Sequence, residues 1–149
     1  MMYMSLWIKK GEVFKTLTGI DQLRFCTDGM LCVKQNGNWG FIDDKGNMTI
    51  PAKYDSCDSF KYGFGRIRSA GKWGIIDKAG KEIVEPKYEN IVPAQNDLFI
   101  FYDKAWGIMD KPGKIIVQPT YYTITTFEKD RALARLGRSY TILKSPQAK

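Results

Sequence analysis

The sequence predicts an all-β protein in which a unit of about 34 residues is repeated in tandem. Three Trp-Gly segments superpose without gaps, beginning at Trp39, Trp73 and Trp106, which stand 34 and 33 residues apart. Each continues with two apolar residues and an aspartate, and a glycine turn follows. No segment carries the 3.6-residue amphipathic period of a helix. The 149 residues, 44% hydrophobic and 26% charged, fit one folded domain.

Each Trp-Gly segment is predicted to be a strand that ends in a tight turn. An aspartate can cap its own turn, and a glycine can take a positive φ. Because these residues recur in every good copy, whereas catalysis needs a residue at one place, we interpret them as architectural. We expect the tryptophans to lie in the core or between repeats. The repeated structural positions are Trp39, Trp73 and Trp106; Asp43, Asp77 and Asp110; and Gly46, Gly80 and Gly113.

Residues 81–84 and 114–117 are predicted to return as a second strand, which a proline then ends because it lacks an N–H. The columns that end at Phe60 or Phe127 predict a tight connecting segment, and a third strand then leads to the next tryptophan. Three strands are fewer than the four of a typical propeller blade. We therefore favour β-hairpin, three-stranded units in an open curved array, with a small propeller or closed barrel as the alternative.

The whole chain, residues 1–149, is predicted to be a single repeat domain. Good units span about 39–72, 73–105 and 106–139, between a degenerate unit at about 5–38 and a degenerate cap at 140–149. The segments Ser5-Leu-Trp-Ile8 and Tyr140-Thr-Ile-Leu-Lys144 occupy the Trp-Gly position there. Degenerate terminal copies are typical of arrays, since a terminal unit lacks one neighbour.

These motifs resemble the WG (KWG) repeat family, which is common in bacterial proteins, and the match runs from about Ser5 to Lys144. The lysine before the Trp-Gly pair appears only as Lys72, with Asn38 and Ala105 in the other copies. The resemblance implies a bacterial or phage protein with a non-catalytic interaction role. It brings no catalytic residues.

The composition argues against an enzyme and against a metal or cofactor site. The chain has no histidine, so the commonest general base and metal ligand is missing. Cys26, Cys32 and Cys57 are odd in number and lack a CxxC spacing, which predicts buried thiols. Neither a secretory signal nor an apolar run of about 20 residues is present. We therefore expect a cytoplasmic protein.

A binding surface is predicted where the copies differ. The net charge of +7 favours an acidic partner. When the third strands are aligned on the tryptophans, one face is small or apolar, and the other is a basic and aromatic stripe. Its candidate partner-binding residues are Lys34, Arg66, Arg68, Phe99, Phe101 and Arg135.

Arginine and aromatic side chains are typical of protein hot spots. The stripe therefore predicts a binding module or inhibitor that engages an acidic protein, for example an immunity protein or a phage anti-defence protein. A nucleic-acid-binding protein using the same face is the alternative, because stacking and phosphate pairing need the same residues. No membrane insertion is expected, and the oligomeric state stays open.

Overall fold

A computed structural model describes residues 2–7, 13–25 and 27–146, and these residues form strands and turns without a helix. Ile8 and Cys26, which the sequence assigned to repeat columns, lie outside the described residues. The strands are β1 Met2–Trp7, β2 Val13–Ile20, β3 Gln22–Phe25, β4 Met30–Gln35, β5 Asn38–Asp43, β6 Met48–Tyr54, β7 Ser56–Lys61, β8 Phe64–Ser69, β9 Lys72–Asp77, β10 Glu82–Tyr88, β11 Asn90–Pro93, β12 Leu98–Tyr102, β13 Trp106–Asp110, β14 Ile115–Tyr121, β15 Thr123–Ile124, β16 Arg131–Leu136 and β17 Ser139–Lys144.

All pairing is antiparallel between strands that follow one another along the chain. The N-terminal sheet is the pair β1–β2, and three complete sheets follow as β3–β6, β7–β10 and β11–β14. The C-terminal sheet consists of β15, β16 and β17. None of these sheets closes into a barrel, so the predicted all-β fold of tandem units in an open array is confirmed.

The expected three strands per repeat are wrong, because each complete sheet has four. The additional strand is the segment that was expected to be a tight connection, Ser56–Lys61 in one repeat and Asn90–Pro93 in the next. In β7 the register shifts between Asp58 and Lys61, so the strand carries one residue more than its partner there. This bulge turns Cys57 and Phe60 to the same side of the strand. Their spacing of three residues therefore differs from the spacing of two that is expected of a regular strand, and the strand was not predicted.

Each complete sheet is out of phase with the sequence repeat. Its first two strands precede a Trp-Gly segment, and its last two are the Trp-Gly strand and the return strand. In the second complete sheet, β7 and β8 lie before Trp73, whereas β9 and β10 lie from Lys72 onwards. A sequence unit that begins at a tryptophan therefore joins two consecutive sheets.

The core is divided into layers between consecutive sheets. The first layer joins Leu17 and Ile20 of β2 to the first complete sheet. Three further layers follow, and their members include Phe41 and Phe60, then Phe64 and Phe99, and lastly Ile108 and Phe127. Because both faces of a complete sheet are covered, the side chains on both faces of its inner strands are buried.

The glycine of each Trp-Gly pair allows the return strand to cross close to the Trp-Gly strand. Trp73 pairs with Tyr88, and Ile75 pairs with Val84. The two paired residues are four positions apart on β10 but two positions apart on β9, so β10 bulges there. The backbone of this bulge approaches Gly74, where a Cβ atom would lie 2.5 Å from the carbonyl oxygen of Val84. Gly40 and Gly107 meet their return strands in the same way, at 2.5 and 2.6 Å. The proline of each repeat lies in this bulge, a position that suits a residue without an N–H.

The aspartate after each Trp-Gly strand holds the following turn. Oδ1 of Asp43 accepts hydrogen bonds from the amides of Lys45 and Asn47, at 3.0 and 2.8 Å. Asp77 makes the equivalent pair of bonds. Asp110 accepts one amide hydrogen bond, from Lys114 at 2.8 Å, because the residue two positions after it is Pro112, which has no N–H to donate.

Candidate partner-binding surface

A cationic or aromatic side chain stands beside the tryptophan position in each sheet from the first complete one onwards. Lys34 pairs with Trp39 and Arg68 with Trp73 across neighbouring strands. In the C-terminal sheet Arg135 pairs with Tyr140, which replaces the tryptophan. These three predicted site residues therefore occupy equivalent positions. Arg68 and Arg135 are exposed, and Lys34 is half-buried.

Arg66 belongs to the interior of the array more than to its surface. Its guanidinium lies 4.2 Å from the centroid of the Trp73 ring and donates hydrogen bonds to Asp58 at 2.9 Å and to Asn90 at 2.7 Å. Asn90 belongs to the next sheet, so Arg66 links two sheets. Burial lowers the pKa of the Arg66 guanidinium, and the charge of Asp58 opposes this shift. Its contacts make Arg66 a structural residue.

Phe99 and Phe101 do not belong to an exposed stripe, and this part of the predicted surface is wrong. Both side chains are buried, with 0% and 1% of their surface exposed. The ring of Phe99 packs edge-on against Phe64 with centroids 5.1 Å apart, and Phe101 contacts Tyr88 at the same distance. Both phenylalanines therefore fill the layer between the second and third complete sheets.

A one-residue difference in hairpin length causes this error. In the second complete sheet Arg68 pairs with Trp73, so four residues separate the pair. In the third, Tyr102 pairs with Trp106, and only three residues separate them. Counting back from the tryptophan therefore aligned Phe101 with Arg68, although Tyr102 is the true equivalent. A slip of one residue moves every side chain of a strand to the opposite face.

The residues that the structure describes cover one face of the C-terminal sheet and leave the other exposed. Ala132, Ala134 and Leu143 point towards the third complete sheet, and the two alanines are buried. The opposite face, here called the outer face, consists of Leu133, Arg135, Tyr140 and Ile142. Leu133 is 49% exposed, Tyr140 69% and Ile142 63%. Among the described residues, these are three of the large hydrophobic side chains that solvent reaches most.

The repeat explains why the outer face is apolar. Ile142 and Leu133 pair with each other across β16 and β17, just as Ile75 and Arg66 do across β8 and β9. Ile75 is fully buried, because the third complete sheet packs on it. The outer face is thus the surface on which a following sheet packs elsewhere in the array. The sequence alignment placed Leu133 and Arg135 on this face and Tyr140 in the Trp-Gly column, but it missed that Tyr140 and Ile142 share the face, because this follows from their pairing with Arg135 and Leu133.

The charged residues at the outward-pointing positions of β16 and β17 are basic, and Glu128 lies beside them, where it lines the same surface depression as Leu133 and Ile142. Three basic side chains point to the same side of the sheet as Leu133 and Ile142 and are exposed: Arg131, Arg135 and Lys144. Nε of Arg131 lies 3.7 Å from Asp130 at the margin of the sheet. Arg135 donates from Nε to the carbonyl oxygen of Gly137 at 3.0 Å, and its guanidinium lies 6.0 Å from the centroid of Tyr140. The face therefore presents apolar surface between positive charges.

The cysteines offer no accessible nucleophile among the described residues. Cys57 is free but only 1% exposed, and burial raises the pKa of its thiol to about 12. Cys32 is disulfide-bonded, so the expectation of buried thiols holds for Cys57 and is wrong for Cys32. Within the described ranges no three His, Cys, Asp or Glu side chains converge as metal ligands, and no helix is long and apolar enough to cross a membrane.

The fold defines a tandem-repeat β protein. The sequence model for the WG containing repeat matches residues 39–73, 73–103 and 106–140, which is more than half of the chain. The chain therefore belongs to the WG containing repeat family. No curated protein matches it.

Proposed function

We propose that this protein is a non-catalytic binding module that engages an acidic protein through the outer face of its C-terminal sheet. The observation that carries the proposal is the exposure of Leu133, Tyr140 and Ile142 between Arg131, Arg135 and Lys144. Contiguous apolar surface with a polar rim is typical of protein interaction sites. The surrounding positive charges select a partner that carries carboxylates.

The composition of the outer face supports a protein partner over a nucleic acid. Leu133 and Ile142 are aliphatic, and aliphatic side chains gain by being desolvated in a packed interface. Proteins that bind single strands use series of aromatic rings on which bases stack. Tyr140 is the one aromatic side chain of this face among the described residues, and its pairing with Arg135 also suits a protein hot spot.

An inhibitory role fits this kind of surface. A module without a reactive centre acts by covering a surface of its partner, as an immunity protein or an anti-defence protein of a phage does. Charge complementarity speeds the encounter, and the apolar centre slows dissociation. The basic residues Lys34 and Arg68, on other sheets, add to the positive field that steers an acidic partner.

Affinity capture with surface variants tests the proposal. The purified chain is immobilised and exposed to lysate of its source organism, with and without nuclease. The outer-face variant combines Leu133→Glu and Arg135→Glu, and the control variant, Lys78→Glu, reverses an exposed charge on the Asp77 turn. We expect wild type and control to retain the same acidic protein regardless of nuclease, and the outer-face variant to lose it.

Two results would contradict the proposal. Capture of that protein by the outer-face variant, shown by circular dichroism to be folded, would remove the outer face as the binding surface. Capture that disappears after nuclease treatment, with retention falling steeply as salt rises, would make the chain a nucleic-acid-binding protein instead.

A further inference from the structure

Within the described residues, β17 is an edge strand of the C-terminal sheet. In each complete sheet the Trp-Gly strand lies between two neighbours, for example β9 between β8 and β10. β17 occupies the Trp-Gly position of the C-terminal sheet and pairs with β16 on one side. No strand of the described residues pairs with its other side. Its residues from Ser139 to Ile142 are all exposed.

The hairpin geometry identifies the backbone groups on the edge of β17 that faces away from β16. Leu136 pairs with Ser139, so Gly137 and Arg138 form a two-residue turn, and Gly137 has a φ of 60°. In such a hairpin the pair next to the turn exchanges both hydrogen bonds, and bonded pairs then alternate along the ladder. The N–H and C=O groups of alternate residues therefore point away from β16. These residues are Tyr140, Ile142 and Lys144.

We propose that an extended acidic segment of the partner protein adds to β17 as the fourth strand of this sheet. The inference rests on the proposed function and specifies how the partner docks. Strand addition supplies backbone hydrogen bonds for affinity, while alternate side chains supply specificity. Side chains of the added strand on the outer side would lie beside Tyr140, Ile142 and Lys144, and carboxylates among them would approach Lys144 and Arg135.

Thr141 restricts the shape of the incoming segment. The residue after the tryptophan is glycine in the complete sheets, because the bulged return strand leaves no room for a Cβ atom there. Thr141 holds the equivalent place, after Tyr140. A bulge of the same kind would collide with its side chain, so the added strand is regularly extended. This distinguishes the expected partner segment from the return strand of another repeat.

Charge argues for a partner strand over a second copy of the chain. Two β17 strands pairing edge to edge would bring together two sheets that each carry Arg131, Arg135 and Lys144 on one face. Like charges near one another across a sheet are destabilising. A lysine on an edge strand also opposes self-association, whereas an acidic strand turns the same charges into attraction.

Amide hydrogen exchange with a defined peptide tests the inference. The probe is a synthetic peptide of alternating valine and glutamate, and its matched control has the same side chains with alternate backbone nitrogens methylated on the bonding edge. We expect the probe to slow exchange of the Tyr140, Ile142 and Lys144 amides, and methylation to weaken its binding by at least about tenfold. The amides of Thr141 and Leu143, which face β16, serve as internal references.

The outcomes separate strand addition from the proposed function. Strand addition would be overturned if the two peptides bound equally and did not slow exchange at Tyr140, Ile142 and Lys144. If the Leu133→Glu, Arg135→Glu variant also abolished that binding, the acidic partner on the outer face would be kept. Failure of both peptides to bind would overturn strand addition alone, since the capture experiment tests the proposed function separately. Slowed exchange with a peptide in which lysine replaces glutamate would also overturn the acidic character of the strand.

Discussion

The glycine that follows each tryptophan determines the shape of the repeat because it has no Cβ atom. Its role differs from that of the turn glycines, since Gly74 is held by close backbone contact and needs no positive φ. The return strand can bulge across β9 only because position 74 has no side chain. The pairing of Trp73 with Tyr88, and with it the proline position in each repeat, depends on this contact.

Gly74→Ala should therefore destabilise the protein by about 3 kcal/mol, the upper end of the cost of overpacking. Gly113→Ala is the matched control, because its added Cβ would have no atom within 4 Å and meets only the strain of a φ of 94°. That strain should cost roughly 1–2 kcal/mol. Urea unfolding of both variants checks the order, and an equal or smaller loss for Gly74→Ala would show that the close approach is not needed.

The turn aspartates make the stability of the fold depend on pH in acidic solution. The pKa of Asp43 is lowered below 3.8, chiefly because the amide of Asn47 donates a hydrogen bond to its carboxylate. The folded state therefore favours the ionised form. This contribution to stability is present above pH 3.8 and is lost as the pH falls through the folded-state pKa.

We predict that Asp43→Asn lowers the melting temperature near neutral pH and flattens its decline in acid. The variant lacks the carboxylate whose protonation weakens the turn of the wild type. Thermal melts above and below pH 3.8 check this, with Asp44→Asn, an exposed neighbour on the same turn, as the control. A decline as steep as that of wild type in Asp43→Asn would contradict the role given to this carboxylate.

At the scale of the strand, register decides which side chains are available to a partner. The strands β8 and β12 look equivalent when they are counted back from their tryptophans, yet the hairpin after β12 is one residue shorter. Arg68 consequently faces solvent, whereas Phe101 faces the preceding sheet.

Alanine substitutions at these two positions should therefore have very different effects. Phe101→Ala should cost about 3–5 kcal/mol, since it empties a buried aromatic site. Arg68→Ala, at an exposed position, should stay within about 0.5 kcal/mol of wild type. Chemical denaturation of both variants measures the difference. A similar small loss for both would mean that Phe101 is not part of the core.

The same strands show what the sequence could and could not predict. The repeat, the β character and the Asp-x-x-Gly turns could be predicted because they depend on local residues in fixed columns. The fourth strand was missed because a bulge in β7 gives Cys57 and Phe60 a spacing of three. The surface was predicted only in part, since Arg68 and Arg135 are exposed. The face of the sheet to which a side chain points depends on hairpin length, which a gapless alignment does not show.

At the scale of the molecule, stability is shared between layers that each join two neighbouring sheets. Within the described part of the chain, the second and third complete sheets are covered on both faces, whereas the C-terminal sheet is covered on one face and ends at the edge strand β17. In an array of this kind, the stability of each unit depends on its contacts with its neighbours. The sheet proposed to bind the partner is thus the one with fewest stabilising neighbours among the described complete and C-terminal sheets.

Native-state hydrogen exchange tests this layered architecture most directly. Amides in the inner strands β8, β9, β12 and β13 should exchange slowest, and those bonded between β16 and β17 should open at a lower free energy, because only one face of their sheet is packed. Loss of protection that begins in the C-terminal sheet is the expected result. A single opening free energy shared by all sheets, or slowest exchange in β16, would contradict an array of successive layers.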